Sequence, residues 1–130
     1  MARPRDLTIR FERHILPHGG GVQREGLELF AELSCPVTSG HRALLDVIPC
    51  RRLDPSALDT LYGEFVRAHF TEMKNDADRK QSPHYGSRSL SLHWSSHACE
   101  IRDASDRPIA KGSEKPFFRL IAAVVSASAP

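Results

Sequence analysis

Cys50 is the residue whose surroundings most suggest covalent chemistry, because Arg51 and Arg52 follow it directly before a predicted helix. Neighbouring guanidinium groups and a helix N-terminus both favour the thiolate, which is the nucleophilic form of cysteine. A cysteine nucleophile also needs a general base, and three histidines are candidates: His41, His69 and His93. No motif places any of them beside the sulfur. A small cysteine-dependent enzyme is therefore one alternative function, and the competing interpretation is a small apolar residue at a strand end.

His93 and His97 have the i, i+4 spacing with which two histidines on a helix bind one metal ion. The surrounding alternation predicts a strand instead, on which the two side chains would lie roughly 13 Å apart. Zinc–nitrogen bonds are only about 2 Å long, so a regular strand does not bring this pair onto one zinc ion. We also find no Cys-x-x-Cys pair and no Gly-rich phosphate loop. The sequence therefore predicts neither a metal nor another cofactor.

The polar stretch over residues 75–88 predicts a long surface loop that contains the best candidates for recognition. Five of its side chains can form ion pairs, hydrogen bonds or stacking contacts: Arg79, Lys80, His84, Tyr85 and Arg88. Long loops in compact domains are often functional. We therefore expect these five residues to form a binding element.

Nucleic-acid binding is a second alternative function. Three strands followed by a helix occur in modules that bind DNA or RNA, although this is an analogy of fold alone. Such modules need cations and aromatic rings on the exposed sheet face. The alternation places Glu12, Glu28 and Glu32 on that face, with Phe30 as its one aromatic residue. The pattern therefore makes nucleic acid an unlikely partner.

An amphipathic helix is predicted over residues 54–74. Asp54 can cap its start, and Pro55 suits the first helical position because its missing N–H has no partner there. Apolar residues then recur at three- and four-residue spacing: Leu58, Leu61, Tyr62, Phe65, Val66, Phe70 and Met73. This stripe must be buried against another element.

The remaining segments predict mainly strands. Alternating patterns indicate strands over residues 7–15, 27–37 and 89–102, with a bulge at Ser95 and Ser96 where the alternation changes phase. A further strand is predicted over residues 42–48, which are apolar on both faces except for Asp46. Residues 113–126 are apolar nearly all round, which favours a helix and leaves a buried strand as the alternative. The predicted fold is α+β: an antiparallel four-stranded sheet packed against one long amphipathic helix, in the order β-β-β-α-β-α.

Length and composition predict one domain over residues 1–130. The net charge of +2 is too small to indicate an anionic partner by itself. Three widely spaced cysteines predict reduced thiols. We recognise no secretory signal and no apolar run of about 20 residues. A soluble, cytoplasmic protein without a membrane contact is therefore expected.

These observations favour a non-catalytic interaction domain, with a protein partner or self-association. The binding surface is expected on the open sheet face or on the loop over residues 75–88. The apolar segment over residues 117–125 has two explanations, since it could pack within the chain or cover its second side in a homodimer.

Overall fold

Two β-hairpins that pair along their first strands form the centre of the protein. The computed structural model describes residues 3–15, 23–31, 50–76, 78, 86–95, 97–104 and 107–127. Within these ranges the chain is α+β, with five strands in the sheet order β3-β2-β1-β4-β5 and two α-helices. The elements are β1 (Thr8–Ile15), β2 (Gln23–Phe30), β3 (Cys50–Arg52), α1 (Pro55–Arg67), β4 (Gly86–Trp94), β5 (His97–Asp103) and α2 (Lys111–Ala127).

The sheet is mixed, which corrects the predicted antiparallel sheet. β3 pairs in parallel with β2, with Cys50 opposite Glu28 and Arg52 opposite Phe30. The other described strand pairs are antiparallel. A strand of three residues is too short to show alternation, so β3 was not predicted. The strand predicted over residues 42–48 lies outside the described residues.

The phase change at Ser95 marks a hairpin turn and not a bulge. Trp94 pairs with His97 across the turn, so the predicted single strand over residues 89–102 is the antiparallel pair β4 and β5. Ser95 has a φ of 49°, in the left-handed region that tight hairpin turns require. A bulge and a two-residue turn change the alternation in the same way, which explains the error.

Helix α1 begins as predicted but ends early. Pro55 is its first residue, whereas Asp54 accepts a hydrogen bond from the Ser56 side chain and makes no side-chain bond to the helix backbone. His69 has a φ of 54°, and a short 3-10 helix follows it over Phe70–Glu72. The long predicted helix is therefore two helical segments. The second, ambiguous apolar segment is confirmed as a helix, α2.

One face of the sheet and both helices enclose the core. Alternate residues of the central strands are almost fully buried beneath the helices: Leu7, Ile9, Leu29, Leu90 and Leu92. The helices contribute Leu58, Leu61 and Phe65 from α1 and Phe117, Leu120 and Val124 from α2. Each such side chain contributes about 1.5–3 kcal/mol on burial. The apolar side chains of alternate strand positions and those of the helix stripes therefore pack together in one hydrophobic layer.

Asp6 joins the start of β1 to the turn between β4 and β5. Its Oδ2 accepts a hydrogen bond from the backbone N–H of Ser95 at 2.5 Å and another from the Ser95 hydroxyl at 3.2 Å. The backbone N–H of Ser95 lowers the pKa of the Asp6 carboxyl. The ionised form is therefore the one that the folded protein stabilises.

We predict that Asp6→Asn lowers stability at neutral pH and that this loss disappears in acid. A carboxyl whose pKa is lowered on folding stabilises the protein above the pKa of the unfolded chain, near 4, and loses that contribution as the pH falls through the lower folded pKa. Urea denaturation of both proteins between pH 7 and pH 2.5 measures the difference. An unchanged difference across this range would contradict the role of the charge.

Candidate functional site

Arg88 is the one of the five candidate binding residues that lies within the described part of the chain. It lies on β4 and pairs with Arg13 of β1, because β4 begins at Gly86 within the stretch predicted as loop. The other four candidates, Arg79, Lys80, His84 and Tyr85, lie outside the described residues. Their role in binding stays a prediction.

The other end of the predicted loop is held firmly. Asn75 forms an isolated bridge with Ile109. Its side-chain amide donates to the backbone carbonyls of Arg102 at 2.5 Å and Arg107 at 3.0 Å. This residue therefore fixes the chain beside β5, and we assign it a structural role.

Cys50 is not a free thiol, which corrects the expectation that this cysteine is reduced. Its sulfur is engaged in a disulfide bond, so the contact of 3.5 Å between Sγ and Glu28 Oε2 involves no thiol hydrogen. A disulfide sulfur has no proton for a base to remove, and the chemistry considered for a nucleophilic Cys50 needs the thiolate. Cys99 is free and half-buried, and burial raises the pKa of its thiol.

His93 and His97 lie on opposite faces of the sheet. His93 pairs with Ala98 and lies within 3.0 Å of the Ser91 hydroxyl on the face away from the helices. His97 lies across from Trp94 and packs against its ring, with the ring centroids 5.6 Å apart. Among the described residues no group of three or more potential ligands could hold a metal ion. The structure does not bring this pair together.

A groove lies between α2 and one end of the sheet. It encloses about 460 Å³, within the range of ligand-binding pockets. Five apolar side chains line it: Phe11 and Leu27 from the sheet, and Phe118, Ile121 and Val125 from α2. Gly26 also lines it, and a Cβ there would meet the carbonyl oxygen of Phe11 at 2.4 Å. The absence of a side chain at Gly26 therefore lets β2 lie close against β1.

The α2 side of the groove has unusually exposed apolar residues. Phe118 and Val125 are 38% and 47% exposed, although the helix buries Phe117, Leu120 and Val124 in the core. The apolar sequence on nearly every side of this helix was the signal for such a surface. This pattern predicted a second apolar side of the helix that another surface must bury, but it did not predict the groove.

Three charged residues close one end of the groove. Glu25, Arg13 and Arg88 are neighbours across β2, β1 and β4, on the same face as the core residues. Arg13 pairs with Glu25 at 2.9 Å. The guanidinium of Arg88 lies over the Phe118 ring, 5.1 Å from its centroid, and no described carboxylate forms an ion pair with it. The groove therefore combines apolar walls with two arginines and one glutamate, and a fourth charged residue, Asp103, lies opposite Arg88 on β5.

The opposite face of the sheet contains a buried ion-pair cluster, although the sequence predicted an exposed face there. Glu28 is fully buried and Arg10 is 6% exposed. Arg10 Nη1 lies 3.0 Å from Glu28 Oε1, and Arg10 Nε lies 3.0 Å from Glu12 Oε2. Among the described residues Arg10 Nη2 has no hydrogen-bond acceptor. Because buried charges persist only when they are paired, we assign this cluster a structural role.

Comparison with known proteins gives no assignment. No protein-family model matches the chain, and no curated protein or solved structure is significantly similar to it. None of the helices in the described ranges is long and apolar enough to span a bilayer.

We predict that Arg10→Met destabilises the protein by about 3–5 kcal/mol, because it removes an ion-pair partner from a fully buried carboxylate. Arg13→Gln is the matched control. It removes an exposed ion pair with Glu25 and should cost less than about 1 kcal/mol. Urea denaturation at neutral pH measures both variants.

A second substitution separates the charge effect from lost packing. Glu28→Gln should restore part of the stability of the Arg10→Met variant, since it removes the buried charge that lost its arginine. If the double variant is less stable than Arg10→Met alone, the Arg10–Glu28 pair does not explain the loss.

Proposed function

We propose that this protein is a non-catalytic interaction domain and that the groove between α2 and the sheet binds a segment of a partner protein. The observation that carries the proposal is the exposure of Phe118 and Val125 beside a concave apolar surface. Side chains of this kind gain free energy when a partner removes them from water. Interaction sites on protein surfaces are commonly apolar patches with a polar rim.

The size of the groove limits what it can accept. One turn of an α-helix with its side chains occupies on the order of 400 Å³, from a diameter of about 10 Å and a rise of 5.4 Å. The volume of about 460 Å³ therefore holds roughly one such turn or a few side chains. We infer that the partner inserts two or three apolar side chains and leaves the rest of its segment outside.

A cysteine-dependent enzyme is less well supported. Cys50 has no thiol to ionise, and Cys99 is half-buried with a raised pKa. A nucleophilic cysteine needs an accessible thiolate, which a lowered pKa would provide. Neither sulfur provides one.

A cytoplasmic location is part of the proposal, and the Cys50 disulfide is the observation against it. Disulfides persist mainly in oxidising compartments. Alkylation under denaturing conditions, performed directly on cells, followed by intact mass measurement decides the matter. Labelling of all three cysteines would support the cytoplasm, whereas labelling of Cys99 alone would indicate that the chain matures in an oxidising compartment.

We predict that a phage-displayed library of random 12-residue peptides, panned on the immobilised protein, yields peptides that need the groove. The double substitution Phe118→Ser and Val125→Ser should reduce their binding at least roughly tenfold, because two apolar contacts worth about 1 kcal/mol or more each are lost. Fluorescence anisotropy with labelled synthetic peptides measures the affinity.

Val66→Ser is the control for this experiment. Val66 is as exposed as Phe118, at 38%, but it lies on α1 and does not line the groove. The control should bind the selected peptides as the wild type does, and circular dichroism should show that all variants are folded. Selection of no peptide, or equal losses for Val66→Ser and the double variant, would refute the groove as the binding surface.

A further inference from the structure

Charged side chains at one end of the groove form a row across β2, β1 and β4: Glu25, Arg13 and Arg88. A site that binds only apolar groups would not need these charges. Arg13 and Arg88 are direct cross-strand partners between β1 and β4. Side chains directly opposite each other on one face have Cβ atoms about 5 Å apart, and like charges at that spacing repel. Glu25 pairs with Arg13 from the other side. Asp103 of β5 lies directly opposite Arg88 on its other side, but Asp103 is buried and its Oδ1 accepts a hydrogen bond from the backbone N–H of Ile109. The row across the four strands therefore contains two positive and two negative charges, of which Arg13, Arg88 and Glu25 line the groove.

Arg88 differs from Arg13 in its contacts. Its guanidinium contacts the face of Phe118, and among the described residues no carboxylate pairs with it. A guanidinium over an aromatic ring keeps its N–H donors available at the ring edge. An acceptor with negative charge that entered the groove would meet these donors and reduce the repulsion between the two arginines.

We propose that the groove selects a partner segment in which a carboxylate side chain lies next to two or three apolar residues. The carboxylate binds between Arg13 and Arg88, while the apolar residues contact Phe118 and Val125. This inference rests on the proposed function and adds the chemistry of the partner. Arginine suits this role because its planar group forms directed hydrogen bonds with carboxylates.

A second copy of this chain is a poorer occupant than an acidic segment. The outer surface of α2 carries Lys111, Lys115 and Arg119 against one acidic residue, Glu114. Self-association through α2 would bring these cations towards Arg13 and Arg88. A groove is also the wrong shape for a bilayer, which apolar side chains enter from a convex or flat surface.

Glu25 acts as an internal competitor for the partner's carboxylate. It already neutralises Arg13 at 2.9 Å, with both side chains about half exposed. Its removal should therefore strengthen binding, whereas removal of an arginine should weaken it. A merely structural role for these residues would not change affinity in opposite directions.

The test uses the groove-dependent peptides from the library described above. We expect each of them to contain Asp or Glu near its apolar residues. Replacing that acid with Asn or Gln should weaken binding to the wild-type protein roughly two- to fivefold, the range for an ion pair near solvent. Arg88→Gln should show a similar loss with the original peptide. The two changes together should cost little more than either alone, because they remove the same interaction.

Arg102→Gln is the matched control, since Arg102 is exposed on β5 and does not line the groove. It should leave the affinity unchanged. Glu25→Gln should raise the affinity about two- to fivefold, the range for loss of a competing exposed ion pair. Affinity should also decrease as salt is added, because both charges are near solvent.

The outcomes separate the two proposals. Groove-dependent peptides without an acidic residue, or acidic peptides whose affinity is the same for Arg88→Gln and wild type, would overturn the charge selection and keep the interaction domain. Selection of no groove-dependent peptide would overturn both. Sedimentation of the protein with phosphatidylserine vesicles, abolished by Arg88→Gln, would replace the peptide with an anionic membrane surface.

Discussion

The pairing of β1 with β4 joins the two halves of the sheet, and the positions of the other elements follow from it. It joins residues about eighty positions apart in the chain, with Thr8 opposite His93 and Ile15 opposite Gly86. Each of these strands also forms a hairpin with its neighbour, so this one pairing brings two hairpins into a single sheet. Contacts between such distant segments must overcome the entropy of closing a long loop. The gain comes from the apolar side chains that the pairing places beneath two helices.

The register of this pairing also determines where the charges lie. A shift by one residue would turn every β1 side chain to the other face. In the observed register Ile9 and Leu92 share the core face, whereas Arg10 and Ser91 share the opposite face. The same register places Arg13 beside Arg88 at one end of the groove between α2 and the sheet. The positions of the core residues, of the buried ion pairs and of Arg13 and Arg88 therefore all follow from the register between β1 and β4.

Local patterns in the sequence predicted much of the fold. The apolar repeat after Pro55 located α1, and alternation located β1, because both patterns report burial of one face. The end of α1 at His69 was missed, since a left-handed backbone at a non-glycine residue has no reliable sequence signal. The prediction of a single strand over residues 89–102 was wrong for a similar reason, since a tight turn after Trp94 changes the alternation as a bulge does.

The proposed site was less predictable because it depends on pairings between distant segments. Arg88 was selected as a binding residue, but on the basis of a loop that in fact contains the start of β4. Nothing in the sequence shows that Arg88 lies beside Arg13, or that Glu28 is buried against Arg10. The apolar nature of α2 on nearly all sides did indicate a second surface to be covered. It could not indicate a groove, because the other wall comes from β1 and β2.

Binding in the groove can be located by the amide chemical-shift changes of the ¹⁵N-labelled protein on titration with an acidic peptide that the groove selects. We expect the largest changes at Arg13, Arg88 and the outer residues of α2, Phe118 and Val125. Residues on the opposite sheet face, such as Arg10 and Ser91, should change little. Large changes on that face or along α1, with none along α2, would show that the partner binds elsewhere and that the groove is not the binding surface.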